Sequence, residues 1–491
     1  MKKLYFLAAG LFSILAFACT KDKSTANDGS IPSFTVSGMK TSYAVLTHKD
    51  TLRIHPVVED ESKYEFYWTA FNSNFVQRSG NAKPDTLART KDLDYAVTLN
   101  PGPYILVFNL KDKKSGVTKL LNADMVVSSL NLNGWYLLKE NNGKTDFDFI
   151  HSTGRINDWI AFHNEGKSLE GTAVDAVFTP TFKMTLTAAP MDIFPAFTVL
   201  SDKDAAIYRI DNGKVMRTFD DMFFTKPATR KLQSVFQPAS LTTLGLINDG
   251  QAYIMNKGTL FSTLPATTAR LSPITAVGAM NLAFDELSKS VVLQVDFTLP
   301  AMPTSGAELK NMNADLVWMN SYAGLRGLAM ALFRKPDGSG ILYRLNVQYG
   351  FLAGFSTPII QLKATVPSTH GLMAASVIGG NYDADFIYYA LGNKVYLTDP
   401  IGLQEALQVT LPAGENVTSI QHIKYPQPNA GITITTDFLA IATYANGHYK
   451  VYLHKVSSTG TIQPLAQPNF EGDGKVTTII YMEGGNGSRV F

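Results

Sequence analysis

The chain has 491 residues, 45% of them hydrophobic and 17% charged, and its 43 basic and 41 acidic side chains leave a net charge of +2. That balance is too apolar for a disordered chain, and no basic stretch concentrates the cations as a nucleic-acid binder requires. The single cysteine excludes an internal disulfide and any metal site built from several thiolates.

The N-terminus reads as an export signal. Lys2 and Lys3 precede an apolar run from Leu4 to Phe17, and Ala18 and Cys19 follow. A basic start, a short apolar segment and a small residue before the cut are signal-peptide features, and the run is shorter than the roughly 20 residues that span a bilayer. Leu15-Ala16-Phe17-Ala18-Cys19 resembles a lipobox, which implies cleavage before Cys19 and acylation of its sulfur. Thr20 to Ser30 is polar and suits a flexible tether. The expected divisions are 1–18 signal peptide, 19–30 lipidated tether, 31–130 sandwich and 131–491 propeller, with the protein attached to the membrane through the lipid on Cys19.

From Ile31 to Ser129 the pattern has period two. Tyr64, Phe66, Trp68 and Ala70 fall on one face, as do Leu93, Tyr95, Val97 and Leu99, and as do Leu52, Ile54 and Val58. Turn signals separate these runs at Asn72-Ser73-Asn74, Asn100-Pro101-Gly102-Pro103 and Lys114-Ser115-Gly116. About seven short strands in roughly 100 residues predict an immunoglobulin-like sandwich, with Trp68 in its core and Tyr104 at a strand corner. The order Tyr-x-x-x-Trp at 64–68, Leu-x-Tyr-x-Val-x-Leu-x-Pro-Gly-x-Tyr at 93–104 and NGWYLLKENNGKTDFDFI at 133–150 resembles the PKD-like domain of Bacteroidetes lipoproteins and the junction that follows it. The resemblance implies an accessory lipoprotein of an outer-membrane uptake system, facing the cell surface or, alternatively, the periplasm, beside a TonB-dependent transporter and a SusD-type lipoprotein.

Beyond Gly134 one unit recurs: an apolar strand, a tight polar turn and a second strand. The turns centre near Gly143, Gly213, Gly250, Ser288, Gly338, Gly392 and Gly447. Asn-Gly and Asp-Gly pairs recur among them, as two-residue type I′ hairpins require. Seven units of roughly 50 residues predict a seven-bladed β-propeller, making the whole chain all-β. The long interval at 150–200 leaves room for an insertion or an eighth unit, and a large sandwich is the competing architecture.

Motifs that carry chemistry are scarce. AFHNEGKS at 161–168 fits a loosened phosphate-loop pattern but lacks the strand–loop–helix setting that the motif needs. The eight histidines include no His-Glu-x-x-His, so no metal and no cofactor is expected. No catalytic residue stands out, and the chain is not expected to be an enzyme. The rival reading is a propeller hydrolase or lyase using a cross-blade carboxylate pair drawn from Asp315, Asp383 and Asp385. A second rival is a purely structural subunit of the transporter. Trp159, Trp318, Tyr322 and Tyr382 stand in polar, loop-like contexts and are the candidates for stacking on an oligosaccharide or peptide ligand, although core packing is the commoner fate of such rings. Asp50-Thr51-Leu52 and Asp85-Thr86-Leu87 resemble a short O-glycosylation signal, making Thr51 and Thr86 candidate acceptors.

Overall fold

A computed structural model describes residues 34–73, 84–185, 193–237, 243–256, 259–263, 268–277, 281–294, 304–322, 327–346, 358–382, 384–424, 437–483 and 488–490. Cys19, the lipobox and the tether lie outside these residues, as does Asp383. No helix among the described residues is long and apolar enough to cross a membrane. The chain divides into two compact units, up to Val127 and from Ser128 onward.

In the first unit, Ser42–Leu46, Thr118–Ser128, Gly102–Asp112, Tyr64–Asn72 and Asp85–Ala88 form a five-stranded sheet in that order. Two short sheets, Thr51–Ile54 with Leu93–Ala96 and Val36–Ser37 with Val57–Val58, complete the sandwich. The alternation seen in sequence becomes burial: Leu52, Ile54 and Val58 join Leu93, Val97 and Leu99 in one core with Trp68 and Ala70. Trp68 is fully buried, lies 4.5 Å from the Phe108 ring and donates its indole N–H to the Lys91 carbonyl at 3.0 Å. Tyr104 donates its hydroxyl to the Asn100 carbonyl at 2.9 Å, four residues back across the Pro-Gly turn. That bond satisfies the only polar atom of an otherwise buried ring, the corner arrangement expected of such a sandwich.

The second unit is a ring of seven sheets. Blade 1 takes Lys475–Glu483 as its first strand and Gly134–Asn141, Lys144–His151 and Gly154–Ile156 as the next three. The two ends of the unit are thereby joined. Blade 2 runs Ala173–Lys183, Ile193–Ser201, Ala205–Arg209 and Val215–Thr218, and blade 3 runs Leu232–Phe236, Thr243–Asn248, Gln251–Asn256 and Ser262–Thr263. Blade 4 has three described strands, Ala276–Val277, Asn281–Asp285 and Ser290–Gln294. Blade 5 comprises Asp315–Ser321, Leu328–Arg334, Gly340–Asn346 and Ile360–Val366. Blade 6 comprises Val377–Gly380, Ile387–Leu391, Lys394–Thr398 and Ala406–Thr410, and blade 7 Asn416–Lys424, Asp437–Ala445, His448–Lys455 and Phe470–Asp473.

The core explains why the ring closes. Seven apolar clusters lie between successive blades, from blades 1 and 2 round to blades 7 and 1. Alternate residues of one strand serve two clusters. Leu439 and Ile441 face blade 6, while Ala440 and Ala442 face blade 1. A sheet covered on both faces needs apolar residues at every position, which is why the middle strands read as continuous runs. The Asn142-Gly143, Asp249-Gly250 and Asn446-Gly447 turns all have positive φ at both residues, as type I′ geometry demands.

Two details differ from the sequence expectation. The turn at Gly213 joins the third and fourth strands of blade 2, whereas its second and third strands meet at Asp202–Asp204. An Asp-Asn-Gly signal specifies a turn but not which strands it links, and this choice lengthened the apparent gap. Among the described residues the interval at 150–200 holds no eighth unit. It contains the outer strand of blade 1, a short helix Trp159–His163, the strand Leu169–Glu170 and the opening of blade 2. The GKS motif follows that helix instead of preceding one, and Ser168 donates its hydroxyl to Asp146, so the phosphate-loop geometry is absent there.

Candidate functional site

The first strands of blades 5, 6 and 7 end at the same edge of the ring at which their second strands begin. At that edge Asn320, Met330 and Arg344 stand in one cross-strand row of blade 5. Trp318 and Tyr322, two residues either side of Asn320, share its face of the strand by the period of two. Blade 6 answers with Gly380, Asn381 and Phe386. Trp318, Asn320, Tyr322, Met330, Gly380, Asn381 and Phe386 line a slot of about 160 Å³ that is too narrow to admit a water molecule.

Polar groups organise this edge. Tyr322 donates its hydroxyl to one oxygen of Asp385, and Arg344 donates Nη1 to the other. Burial pushes the Tyr322 phenol well above its ordinary range, and the hydrogen bond to Asp385 and the charge of that carboxylate push the same way. Arg344 keeps its Nε buried without a partner. The half-buried Asn320 side chain makes no hydrogen bond with the described residues, leaving a donor and an acceptor for a ligand. Gly380 makes the slot possible: a Cβ there would stand 2.1 Å from Asn320 Nδ2 and 3.4 Å from the Trp318 ring.

One loop further, the Tyr382 backbone N–H donates to His422 Nδ1 at 2.9 Å, and the two rings lie 6.2 Å apart. His422 Nε2 meets Asp437 Oδ1 at 2.7 Å, and Lys424 reaches the other oxygen at 3.2 Å. Burial raises the Asp437 carboxyl, but the His422 hydrogen bond and charge and the Lys424 ammonium together hold it below the usual range.

A further group at this edge escaped the sequence reading. Trp135 lies 4.6 Å from Tyr481, 5.8 Å from Phe470 and 6.3 Å from Phe438, ring centre to ring centre. All four are half-buried. They sit at strand ends of blades 1 and 7, and strand direction puts them on the same edge as Trp318 and Tyr382. The NGWY motif was visible, but Tyr481 and Phe470 are over 330 residues away, and no local pattern links them.

The other sequence candidates separate clearly. Trp159 is fully buried between blades 1 and 2, with Tyr136, Phe147 and Phe197 around it, so it offers no face to a ligand in solution. Its short helix folds back because Asp146 accepts the N–H groups of Ile160 and Ala161 at 2.6 and 3.0 Å. Asp315 is exposed, pairs with Lys289 and stands at the opposite end of a seven-residue strand from Tyr322, about 20 Å away at the usual rise. It makes no carboxylate pair with Asp385. Thr51 and Thr86 are exposed on sheet-edge strands of the sandwich, Thr51–Ile54 and Asp85–Ala88.

The pairings and clusters define a two-unit all-β protein, an immunoglobulin-like sandwich followed by a seven-bladed propeller. Residues 19–173 match the PKD-like family, a stretch that takes in the sandwich and the outer strands of blade 1. No protein with a curated description matches the chain. Among solved structures, a quinonprotein alcohol dehydrogenase-like protein from Bacteroides thetaiotaomicron is 12% identical, with 91% of this chain and 99% of that one covered and a TM-score of 0.38. The β-propeller domain of Myceliophteria thermophila Cps50 (Swd1) is 10% identical over 65% of this chain and 98% of its own, at a TM-score of 0.35. The WD40 domain of SCAP from fission yeast is 8% identical over 62% and 74%, also at 0.35. The propeller assignment itself rests on the closed ring of sheets and inter-blade clusters.

Proposed function

We propose that this protein is an envelope lipoprotein, acylated at Cys19 and held in the outer membrane, whose propeller binds an oligosaccharide for a TonB-dependent transporter and its SusD-type partner. The observation that carries the binding reading is the arc of half-buried aromatic rings along one edge of blades 5, 6, 7 and 1, from Trp318 through Tyr382 to Trp135 and Tyr481. Rings presented in this way stack on the C–H faces of sugar rings, and the Asn320 amide, which has no hydrogen bond among the described residues, supplies matching donor and acceptor groups for hydroxyls. The ion pairs at the edge are internally neutralised, Arg344 by Asp385 and Lys424 by Asp437, which favours an uncharged ligand over a charged peptide. Asp385 has both oxygens engaged, which favours binding without turnover over a hydrolase. The lipobox resemblance and the PKD-like match support the envelope placement.

Binding is tested with a panel of neutral oligosaccharides by calorimetry. Trp318→Ala and Tyr382→Ala are expected to weaken affinity about tenfold or more each, the usual cost of removing a central aromatic anchor. Unchanged affinity in both variants, or release of a shortened glycan, would sink the reading. Cys19→Ser is expected to move the protein from the membrane fraction to the soluble one.

A further inference from the structure

The sandwich leaves two strand edges unpaired among the described residues, and both border one groove. Ser42–Leu46 is the outermost strand of the five-stranded sheet, and Thr51–Ile54 has Leu93–Ala96 as its one neighbour. Along a strand the N–H and C=O of one residue point to one side and those of the next residue to the other. The Thr41 carbonyl accepts from Asp124 at 2.9 Å, so Tyr43 and Val45 also turn to Thr118–Ser128 while Ser42 and Ala44 turn away. Leu46 agrees with this phase, since its N–H and its C=O both engage Asp50 in the turn. The Asp50 carbonyl accepts from Val97 at 3.0 Å, so Leu52 and Ile54 turn to Leu93–Ala96 while Thr51 and Arg53 turn away. All four outward residues are exposed. The groove, of about 820 Å³, is lined by Tyr43, Ala44 and Val45 and by every residue from Lys49 to His55. An unbroken run of lining residues marks a backbone edge, because a sheet face contributes every second residue.

The charge of the groove is one-sided. Lys40 and Lys49 line it, are exposed and have no ion-pair partner among the described residues. Arg53 lies 3.4 Å from Asp94, in a pair that is mostly exposed on both sides. The one acid of the lining, Asp50, spends a carboxylate oxygen on the Leu46 N–H at 2.7 Å. We propose that this groove takes an extended acidic peptide segment of a partner protein, which adds as a third strand along Thr51–Ile54. Its backbone bonds to the outward N–H and C=O groups of Thr51 and Arg53, and its acidic side chains meet Lys40, Lys49 and Arg53. Main-chain bonds supply the hold and the cations select the sequence. The added strand also completes a sheet that has only two strands, a size with little stability of its own. Lysines on an open edge deter most strands, and an acidic strand is the kind that they admit. A second copy of this chain does not fit, because pairing like edges sets Lys40 and Lys49 against their own copies, and like charges placed opposite each other repel. The groove belongs to the first unit, so its occupant is independent of any glycan at the propeller edge.

The test is deuterium exchange of the full chain, made without glycosylation and resolved to single amides, with and without a peptide of alternating glutamate and valine about eight residues long. At low ionic strength the Thr51 and Arg53 amides are expected to gain about tenfold protection or more as the peptide saturates, while Leu52 and Ile54, already bonded within the sheet, change little. A peptide of alternating lysine and valine is expected to give no protection. Lys40→Glu combined with Lys49→Glu is expected to weaken the acidic peptide about tenfold and to admit the lysine peptide instead. Both lysines are exposed, and an unchanged melting temperature checks that the double variant keeps its fold. No gain of protection with the acidic peptide, equal gains with both peptides, or an unchanged affinity in the double variant overturns the proposal. Protection of the same amides that rises with protein concentration in the absence of peptide would put a second copy on the edge and overturn the choice of partner.

Discussion

The sandwich and the propeller bury their strands in different ways. In Thr51–Ile54 and the residues after it, exposed and buried positions alternate one for one from Thr51 to Val58, because one face meets the core and the other meets solvent. In Ala205–Arg209 and Asp437–Ala445 the middle positions are buried without a break, because each sheet is sandwiched between two neighbours. One-sided burial writes a period-two code that a single strand displays unaided. Two-sided burial erases it, and only the turns remain to mark the repeat.

The same contrast applies to polar groups. On the strand Lys144–His151, Asp148 reaches Tyr449 of blade 7, and Asp146 accepts N–H groups of the helix Trp159–His163. Asp148 is fully buried and joins Lys139 at 2.8 Å, the Tyr449 hydroxyl at 2.7 Å and the Arg155 guanidinium. Since Tyr449 belongs to blade 7, this network reinforces the closure of the ring. The largest expected effect is therefore Asp148→Ala, which leaves the buried Lys139 ammonium with only the half-exposed Asp158 as an ion-pair partner and should destabilise the propeller by about 3 kcal/mol. Chemical denaturation followed by hydrogen exchange should show the loss confined to the unit from Ser128 onward. A loss shared equally by the sandwich would break the comparison between two separately built units.

The two carboxylates also titrate in opposite senses. Burial drives the Asp146 carboxyl up to about 6, and the bonds from Ser168, Ile160, Ala161 and Phe147 offset this only in part. Its folded value is raised, so its contribution to stability is complete below about pH 3.8 and is lost as pH rises through about 6, a change of about 3 kcal/mol. For Asp148, burial is outweighed by the charge and hydrogen bond of Lys139, the Tyr449 hydroxyl and the Arg155 charge, which lower the carboxyl. Its contribution is present above the ordinary carboxylate range and is lost on acidification. Urea midpoints from pH 3 to 7 should therefore show a slope between about 4 and 6 that Asp146→Asn removes, and an unchanged slope would refute this assignment.

The smallest effect belongs to the sandwich. Tyr104→Phe removes one hydrogen bond to Asn100 and is expected to cost about 1 kcal/mol, confined to the first unit. A value near zero would mean that the corner is held by packing of the ring alone.

Legibility follows the range of the interactions. Trp68, Tyr104 and the Asn-Gly and Asp-Gly turns were readable because the partners that decide their role lie within a few residues or on the same alternating strand. Trp159, a ligand candidate for which core packing was the commoner fate, is core for a reason that lies farther off. Its neighbours Asn157 and Asp158 look like a loop, yet it is buried by rings from blades 1 and 2. Trp318, Tyr322 and Tyr382 were singled out as separate rings, and the structure gathers them at one edge. The rings that extend the arc, Phe438, Phe470 and Tyr481, gave no signal at all.

By itself, the sequence determined the all-β class, the sandwich core and the number of repeating hairpins, because local φ preferences and period-two burial act over short stretches of chain. Tertiary structure alone decided the partner of Gly134–Asn141, which is Lys475–Glu483 at the far end of the chain. It also decided which aromatic rings reach the edge. Those depend on strands brought together by ring closure, and hydrophobic burial between blades, which lacks direction along the chain, is what brings them there.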